Sequence, residues 1–235
     1  VLEGGLFDLI LLGSGSKGNA TFLRWGETRL LFDCGFTAKE LNRRLGEFGE
    51  SLEALDAICI SHEHADHVGG LRGLGRVEAR RIFATERTLP AFRLGKRSRA
   101  EKTPIRPGRP FKVGPLEIRA FSTSHDARDP VGYRIALPDG RRLALATDLG
   151  VPTDEAIEAL SGVDLLGIES NHDLTMLERG PYPWVLKQRI RSDTGHLANP
   201  TSAALIERIA HDGLKQVFAM HLSETNNRPP LAQEA

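Results

Sequence analysis

Ser61-His62-Glu63-His64-Ala65-Asp66-His67 sets His62, His64, Asp66 and His67 into six consecutive positions, directly after the short apolar run Ala57–Ile60. On an extended segment His62 and His64 face the same way, because side chains alternate with a period of two. Asp66 and His67 follow at once and are free to face a second point nearby. Imidazole nitrogen and carboxylate oxygen are the donors that borderline divalent cations accept. Two kinds of donor pair this close together suit two adjacent cations better than one.

A pair of cations needs about six or seven protein donors, so the rest are expected at the ends of other strands. His125, in Ser124-His125-Asp126, follows the apolar stretch that ends near Ser122. Asp148 ends Leu143–Thr147, and His221 ends Val217–Met220. A buried carboxylate without a partner is costly, which makes Asp148 a candidate on its own account.

The 235 residues, 40% of them hydrophobic, are expected to form one globular domain over 1–235 with a sizeable core. No apolar run approaches a membrane span, and no signal segment is expected ahead of the first strand. Cys34 and Cys59 both sit inside apolar runs, which favours reduced core thiols over a disulfide framework. A cytoplasmic location follows as an expectation. Net charge is zero but unevenly spread. Residues 72–109 carry twelve Lys or Arg against Glu78, Glu86 and Glu101, a local charge of +9 balanced by −9 elsewhere. Such a block either grips a polyanion or is a solvated Arg-rich surface.

Strands are expected at Phe7–Leu12, Thr21–Trp25, Arg29–Cys34, Ala57–Ile60, Ile82–Ala84, Leu116–Ser122, Gly132–Leu137, Leu143–Thr147, Leu165–Glu169 and Val217–Met220. Gly26-Glu27 marks a hairpin between the second and third. Thr37–Gly46, with Leu41 and Leu45 at helical spacing behind a Thr37 cap, reads as helix. So do the residues from Val68 onward, Thr153–Leu160, Pro183–Arg191 and Pro200–Ala210. Lys102–Pro110, rich in Pro and Arg, reads as a linker too short to separate domains. Strands first and alternating helices later fit two sheets covered by helices. His211 is expected at the surface.

Asp33 in Phe32-Asp33-Cys34-Gly35, the 62–67 motif, His125, Asp148 and His221 resemble the metallo-β-lactamase superfamily in order and spacing, over nearly the whole chain. That resemblance implies an α/β fold, the four-layer αβ/βα sandwich, with a dinuclear site at the sheet edges. It implies His62, His64 and His125 on one cation, Asp66, His67 and His221 on the other, and Asp148 bridging. Asp33 would orient ligands rather than bind metal. Narrower features resemble the YycJ/WalJ branch: Leu12–Asn19, Glu169–Asp173, Gly195–Asn199, and His221-Leu222-Ser223 with Asn226-Asn227. The interval from Asp148 to His221 is too short for the β-CASP insert of RNA-processing relatives.

The branch implies a phosphodiesterase, a 5′-to-3′ DNA exonuclease acting on 5′-phosphorylated ends and serving DNA repair. Two divalent cations are expected, manganese for activity with zinc as the other candidate, and no organic cofactor. Asp66, Asp148 and His196 are the candidate catalytic residues. His196 either hydrogen-bonds charge developing on the scissile phosphate or caps the helix after it. Ser14, Ser16, Lys17 and Asn19 either cradle a terminal phosphate or form a tight turn. Asn171 and His172 either contact substrate or brace Asp148, and Asn199 is placed with the substrate-binding group. The alternatives are a small-molecule hydrolase of the superfamily (cyclic phosphodiesterase, thioesterase or lactonase) and a non-catalytic DNA-end binder. Neither small molecules nor esters need a +9 segment, and a degenerate binder would lack a full donor set.

Overall fold

In β3 (Thr28–Phe32) the side chains of Leu30 and Phe32 leave one face of the strand and Leu31 leaves the other. Leu30 and Phe32 join a buried cluster with Ile118, Tyr133, Ile135, Leu143 and Leu145, which fills the space between two sheets. Leu31 joins Phe22, Ile58 and Ile82 against Leu41 and Leu45 of a covering helix. A strand buried on both faces is apolar throughout rather than alternating, and Leu30-Leu31-Phe32 is that pattern. The second sheet repeats it: Leu143 and Leu145 face inward, while Ala144 and Ala146 pack against Ala156, Leu160, Leu205 and Ile209.

The computed structural model describes residues 6–75 and 81–235; Arg76, Glu78 and Arg80 of the basic stretch lie outside them. The first sheet runs β1 (Phe7–Gly13), β2 (Ala20–Trp25), β3, β4 (Ala57–Cys59), β5 (Arg81–Thr85), β6 (Glu101–Ile105), in that order. Its first two pairings are antiparallel and the remaining three parallel. The second sheet holds β7 (Pro110–Val113), β8 (Leu116–Ser122), β9 (Val131–Ala136), β10 (Arg142–Ala146), β11 (Leu165–Glu169) and β12 (Gln216–Met220), with β10, β11 and β12 parallel. Helices α1 (Ala38–Gly46), α2 (Ala65–Val68), α3 (Asp154–Leu160), α4 (Leu174–Arg179), α5 (Trp184–Arg191), α6 (Asn199–Ile209) and α7 (Pro229–Glu234) complete the described elements. With α1 outside the first sheet and α3 and α6 outside the second, the layers are helix, sheet, sheet, helix, the four-layer αβ/βα sandwich expected.

Several boundaries differ from the sequence reading. Lys102–Pro110 is not a linker: it holds most of β6 and the start of β7, each an edge strand. Proline lacks the N–H a central strand needs, but Pro104 and Pro110 sit where one side of the strand has no neighbour. The helix expected from Val68 onward instead ends at Val68 and passes into a 3₁₀ turn over Gly69–Gly73. Gly70 packs so closely that a Cβ there would fall 2.0 Å from the Phe36 carbonyl oxygen. β3 and β10 stop at Phe32 and Ala146, short of the expected ends, because Asp33 and Asp148 adopt left-handed backbone at φ 61° and 57°. Helices α4 and α7 were not anticipated, and the interval from Asp148 to His221 carries four helices and two strands. Thr37 and Thr153 cap α1 and α3 through their hydroxyls, as Thr37 was expected to. Cys34 and Cys59 are buried and unpaired thiols. No helix among the described residues is long and apolar enough to cross a membrane.

Candidate metal centre

The strands β3, β4, β8, β10, β11 and β12 deliver their carboxyl ends to one edge of the sandwich. There the chain places Asp33, His62, His125, Asp148, Glu169 and His221 in turn. Short strands make this possible: β3, β4, β10 and β11 are held on both faces by the core, and β8 and β12 are paired to their neighbours with some positions open to solvent, so the residue after each emerges at a fixed point. Three of these residues pass through left-handed backbone, Asp33, Asp148 and His221 at φ 61°, 57° and 53°. They are the only non-glycine residues with positive φ among those described. That conformation costs energy for a side chain with a Cβ, and it concentrates at sites where geometry is imposed.

Donor atoms gather in overlapping groups within 4.8 Å of one another: His62, His64 and His125; Asp66, His67 and His221; and His62, His67 and Asp148. Asp148, 2% exposed, lies between them. Its Oδ1 is 3.5 Å from His125 Nε2 and its Oδ2 is 3.0 Å from His67 Nε2. His62 Nε2 is buried without a hydrogen-bond partner. Buried polar atoms are rarely left in that state, and lone pairs converging on a shared point are what a cation accepts. All seven donors named from the sequence are therefore brought together, and their chemistry fits divalent metal.

Hydrogen bonds behind the donors fix which nitrogen is free. Asp33 Oδ2 is 2.7 Å from His67 Nδ1, and both Asp33 oxygens accept from the Ser61 hydroxyl at 2.8–2.9 Å. Gly195 offers its carbonyl to His125 Nδ1 at 3.0 Å. Glu169 Oε1 takes His221 Nδ1 at 2.8 Å and His196 Nδ1 at 2.9 Å, while Oε2 accepts the N–H groups of Leu149 and Leu197. A partner on Nδ1 leaves Nε2 of each ring for a ligand. Burial, and then His67, lowers the His62 imidazole below its usual range, so it stays neutral with its lone pair available. Burial opposes ionisation of Asp148, but His221 and His67 outweigh it and hold the carboxyl well down. Burial also opposes charge on His67, yet Asp33 and Asp148 raise it. The carboxylates thus demand positive charge, which protons supply when cations do not.

The groups expected to meet substrate divide. Ser16 and Asn171 line the cleft over the donors, together with Ser223 and His196. Ser14 does not line it: its hydroxyl accepts the His221 N–H at 2.7 Å and donates to Asn19 at 3.2 Å. Asn19, 2% exposed, braces the loop by donating to Asp66 Oδ2 at 3.2 Å. Lys17 is exposed and paired with Glu224 at 2.5 Å. His172 is buried, with burial lowering it to about 4. Asn199 is held in a buried network with Ser170 and Asn227. Ser14, Asn19 and Asn199 are thus engaged by neighbours within the chain, while Lys17 stays open to solvent and His172 Nδ1 is buried without a hydrogen-bond partner. His211 is exposed, as expected, with its Nε2 3.0 Å from the Val163 carbonyl.

Four residues of the site were given no role from sequence. Glu169 is fully buried and holds two histidines, and its signal was legible: a carboxylate ending an apolar strand, as Asp148 does. Asp126 lies 3.4 Å from His125 Nε2 and 2.5 Å from Arg189 Nε. Ser61 and Tyr182 carried no pattern that separates them from ordinary serines and tyrosines.

The family model of the beta-lactamase superfamily domain matches residues 28–222. The exodeoxyribonuclease WalJ of Streptococcus pneumoniae is 37% identical over 230 residues, which is 96% of this chain and 85% of that protein. The exodeoxyribonuclease YycJ of Bacillus anthracis is 34% identical over 225 residues, 95% of this chain and 85% of the relative. Among solved structures, the metallo-beta-lactamase fold protein YhfI of Bacillus subtilis superposes with a TM-score of 0.73 at 19% identity, covering 96% of this chain and 90% of its own. The chain belongs to the beta-lactamase superfamily, in the branch that holds the WalJ and YycJ proteins.

Proposed function

We propose that this protein is a metal-dependent phosphodiesterase that degrades DNA from 5′-phosphorylated ends in the 5′-to-3′ direction, in the service of DNA repair. The observation that carries it is the pair of donor groups joined by Asp148, beside a histidine held by Glu169 at the mouth of the cleft. Likeness to two exodeoxyribonucleases over almost the whole chain supports DNA as the substrate.

His62, His64 and His125 would hold one cation, Asp66, His67 and His221 the other, with one oxygen of Asp148 toward each set. Two divalent ions there, manganese for activity or zinc, supply Lewis acidity toward a water and neutralise the phosphodiester charge. Asp66 orients the attacking water in line with the departing 3′ oxygen. His196, its Nδ1 given to Glu169, keeps its Nε2 edge for an oxygen of the scissile phosphate. Ser16, Asn171 and Ser223 line the cleft beside His221, Asn171 held there by donating to the His221 carbonyl, and would receive the terminal phosphate. Asp33 and Glu169 keep the imidazoles in the tautomer that binding requires.

The basic stretch contributes unevenly to holding the DNA backbone. Lys102 is engaged with the carbonyls of Leu89 and Phe92 and with the Phe92 ring, Arg81 lies over Phe83, and Arg106 pairs with Glu86. Arg72, Arg87, Arg93, Lys96, Arg97, Arg99 and Arg109 are exposed, and these are the grips we assign. A small-molecule hydrolase would suit the modest size of the cleft but gives the exposed cations no task. Asp148→Ala is the test: cleavage of 5′-phosphorylated DNA should fall by at least about 10³-fold while binding at low salt holds within a few-fold. Retained cleavage would refute the assignment.

A further inference from the structure

The cleft over the donor cluster has a volume of about 230 Å³. That is under the roughly 300–1,000 Å³ of sites that enclose drug-sized molecules, a space nearer the scale of one nucleotide than of a base pair. Its walls are unlike one another. Everything that comes from the strand ends is polar: imidazoles, carboxylates, Ser16, Asn171 and Ser223. The apolar side chains lining it, among the described residues, all come from one segment, as Tyr182, Leu186 and Ile190. Leu186 and Ile190 lie one helical turn apart on α5, so they present one face.

That wall is fixed in place. Gly180 packs against Asn226, where a Cβ would fall 2.5 Å from its Oδ1, and Pro181 and Pro183 restrict the backbone on either side of Tyr182. Gly195, whose carbonyl holds His125, sits so close to the end of α5 that a Cβ would lie 2.2 Å from the Ile190 carbonyl oxygen. Arg189 ties the same helix to Asp126, 3.4 Å from His125. An aromatic ring and a branched aliphatic side chain are thus held opposite a phosphodiester site. A bare phosphate needs no such wall, whereas a nucleobase attached to it does, because every base has a face that stacks without regard to sequence.

We infer that the cleft takes a single unpaired 5′-terminal nucleotide, its base laid on Tyr182 and Leu186, so that a duplex end must open before it is cut. This rests on the phosphodiesterase proposal above and adds the state of the substrate. Removing a base from its pair has a cost that is smallest for mismatched ends, and that cost should appear in the rate.

The experiment compares 5′-phosphorylated duplexes that differ only in the first residue: paired as G·C, mismatched, or abasic. The metal-loaded wild type, Tyr182→Ala and Tyr182→Phe are each assayed for KM and kcat. The mismatched end should be cut at least about tenfold faster than the G·C end. Tyr182→Ala should raise KM on the mismatched end by roughly 5- to 100-fold, with Tyr182→Phe close to wild type. On abasic ends the three proteins should agree. Equal rates on paired and mismatched ends would show that a paired end enters and would overturn the inference. So would an Ala penalty of the same size on abasic ends, which would make Tyr182 a packing residue. Wild type that hydrolyses bis(p-nitrophenyl) phosphate but cuts none of these DNAs would place the failure in the nuclease proposal itself, and the inference would fall with it.

Discussion

Strain marks the residues on which this site depends. Asp33, Asp148 and His221 hold left-handed backbone at three strand ends, and each touches the histidine cluster. Only a surrounding structure that over-determines them keeps such conformations. The carboxylates behind the rings act through the rings. Asp33→Asn keeps the size of the side chain but weakens its hold on His67, so metal affinity should fall roughly 10- to 100-fold. Competition titration with a chromophoric chelator reads that directly, and an unchanged affinity would remove Asp33 from the account. Glu169→Gln should act on both His196 and His221, lowering kcat by more than Asp33→Asn does while metal content at saturating ion stays near wild type. Elemental analysis beside single-turnover cleavage separates the two effects.

At the scale of elements, the strands were legible because both of their faces are buried. Leu30-Leu31-Phe32 and Leu143–Ala146 carry apolar side chains to two different cores, so their runs stand out in the sequence. Asp33, His62 and Asp148 were legible for the same reason, since each follows such a run, whereas His125 and His221 follow strands with exposed positions. What stayed hidden was set by tertiary placement. Nothing local says that Pro104 lies on an edge strand, and Gly69-Gly70 looked like the inside of a helix until the Phe36 carbonyl claimed the space. Ser14, Asn19 and Asn199 have the side chains of ligand contacts, but neighbours distant in sequence engage them. Phe22 is fully buried between the first sheet and α1. Phe22→Ala should cost about 3–5 kcal/mol in urea unfolding, whereas Thr37→Ala, which removes only a cap, should cost about 1 kcal/mol. Equal costs would contradict the packing described.

For the molecule as a whole, charge and metal are the two long-range terms. Chelation should lower Tm by roughly 5–10 °C, since ions that bind the folded state alone stabilise it by mass action. Scanning calorimetry with and without chelator measures this, and no shift would mean that the donors hold no ion. Replacing Arg93, Lys96 and Arg97 together by Ala should reduce the slope of log K against log salt for DNA binding by about two to three units. An unchanged slope would move the DNA path off this surface. The central claim meets its most direct test in digestion with Mn²⁺ or Zn²⁺ of four substrates: a 5′-phosphorylated linear duplex, the same duplex with a 5′ hydroxyl, a closed circle, and RNA. Mononucleotides released from the phosphorylated 5′ end, with the circle intact, are the predicted result. Cutting of the circle, or no cleavage of any nucleic acid with either metal, would contradict it.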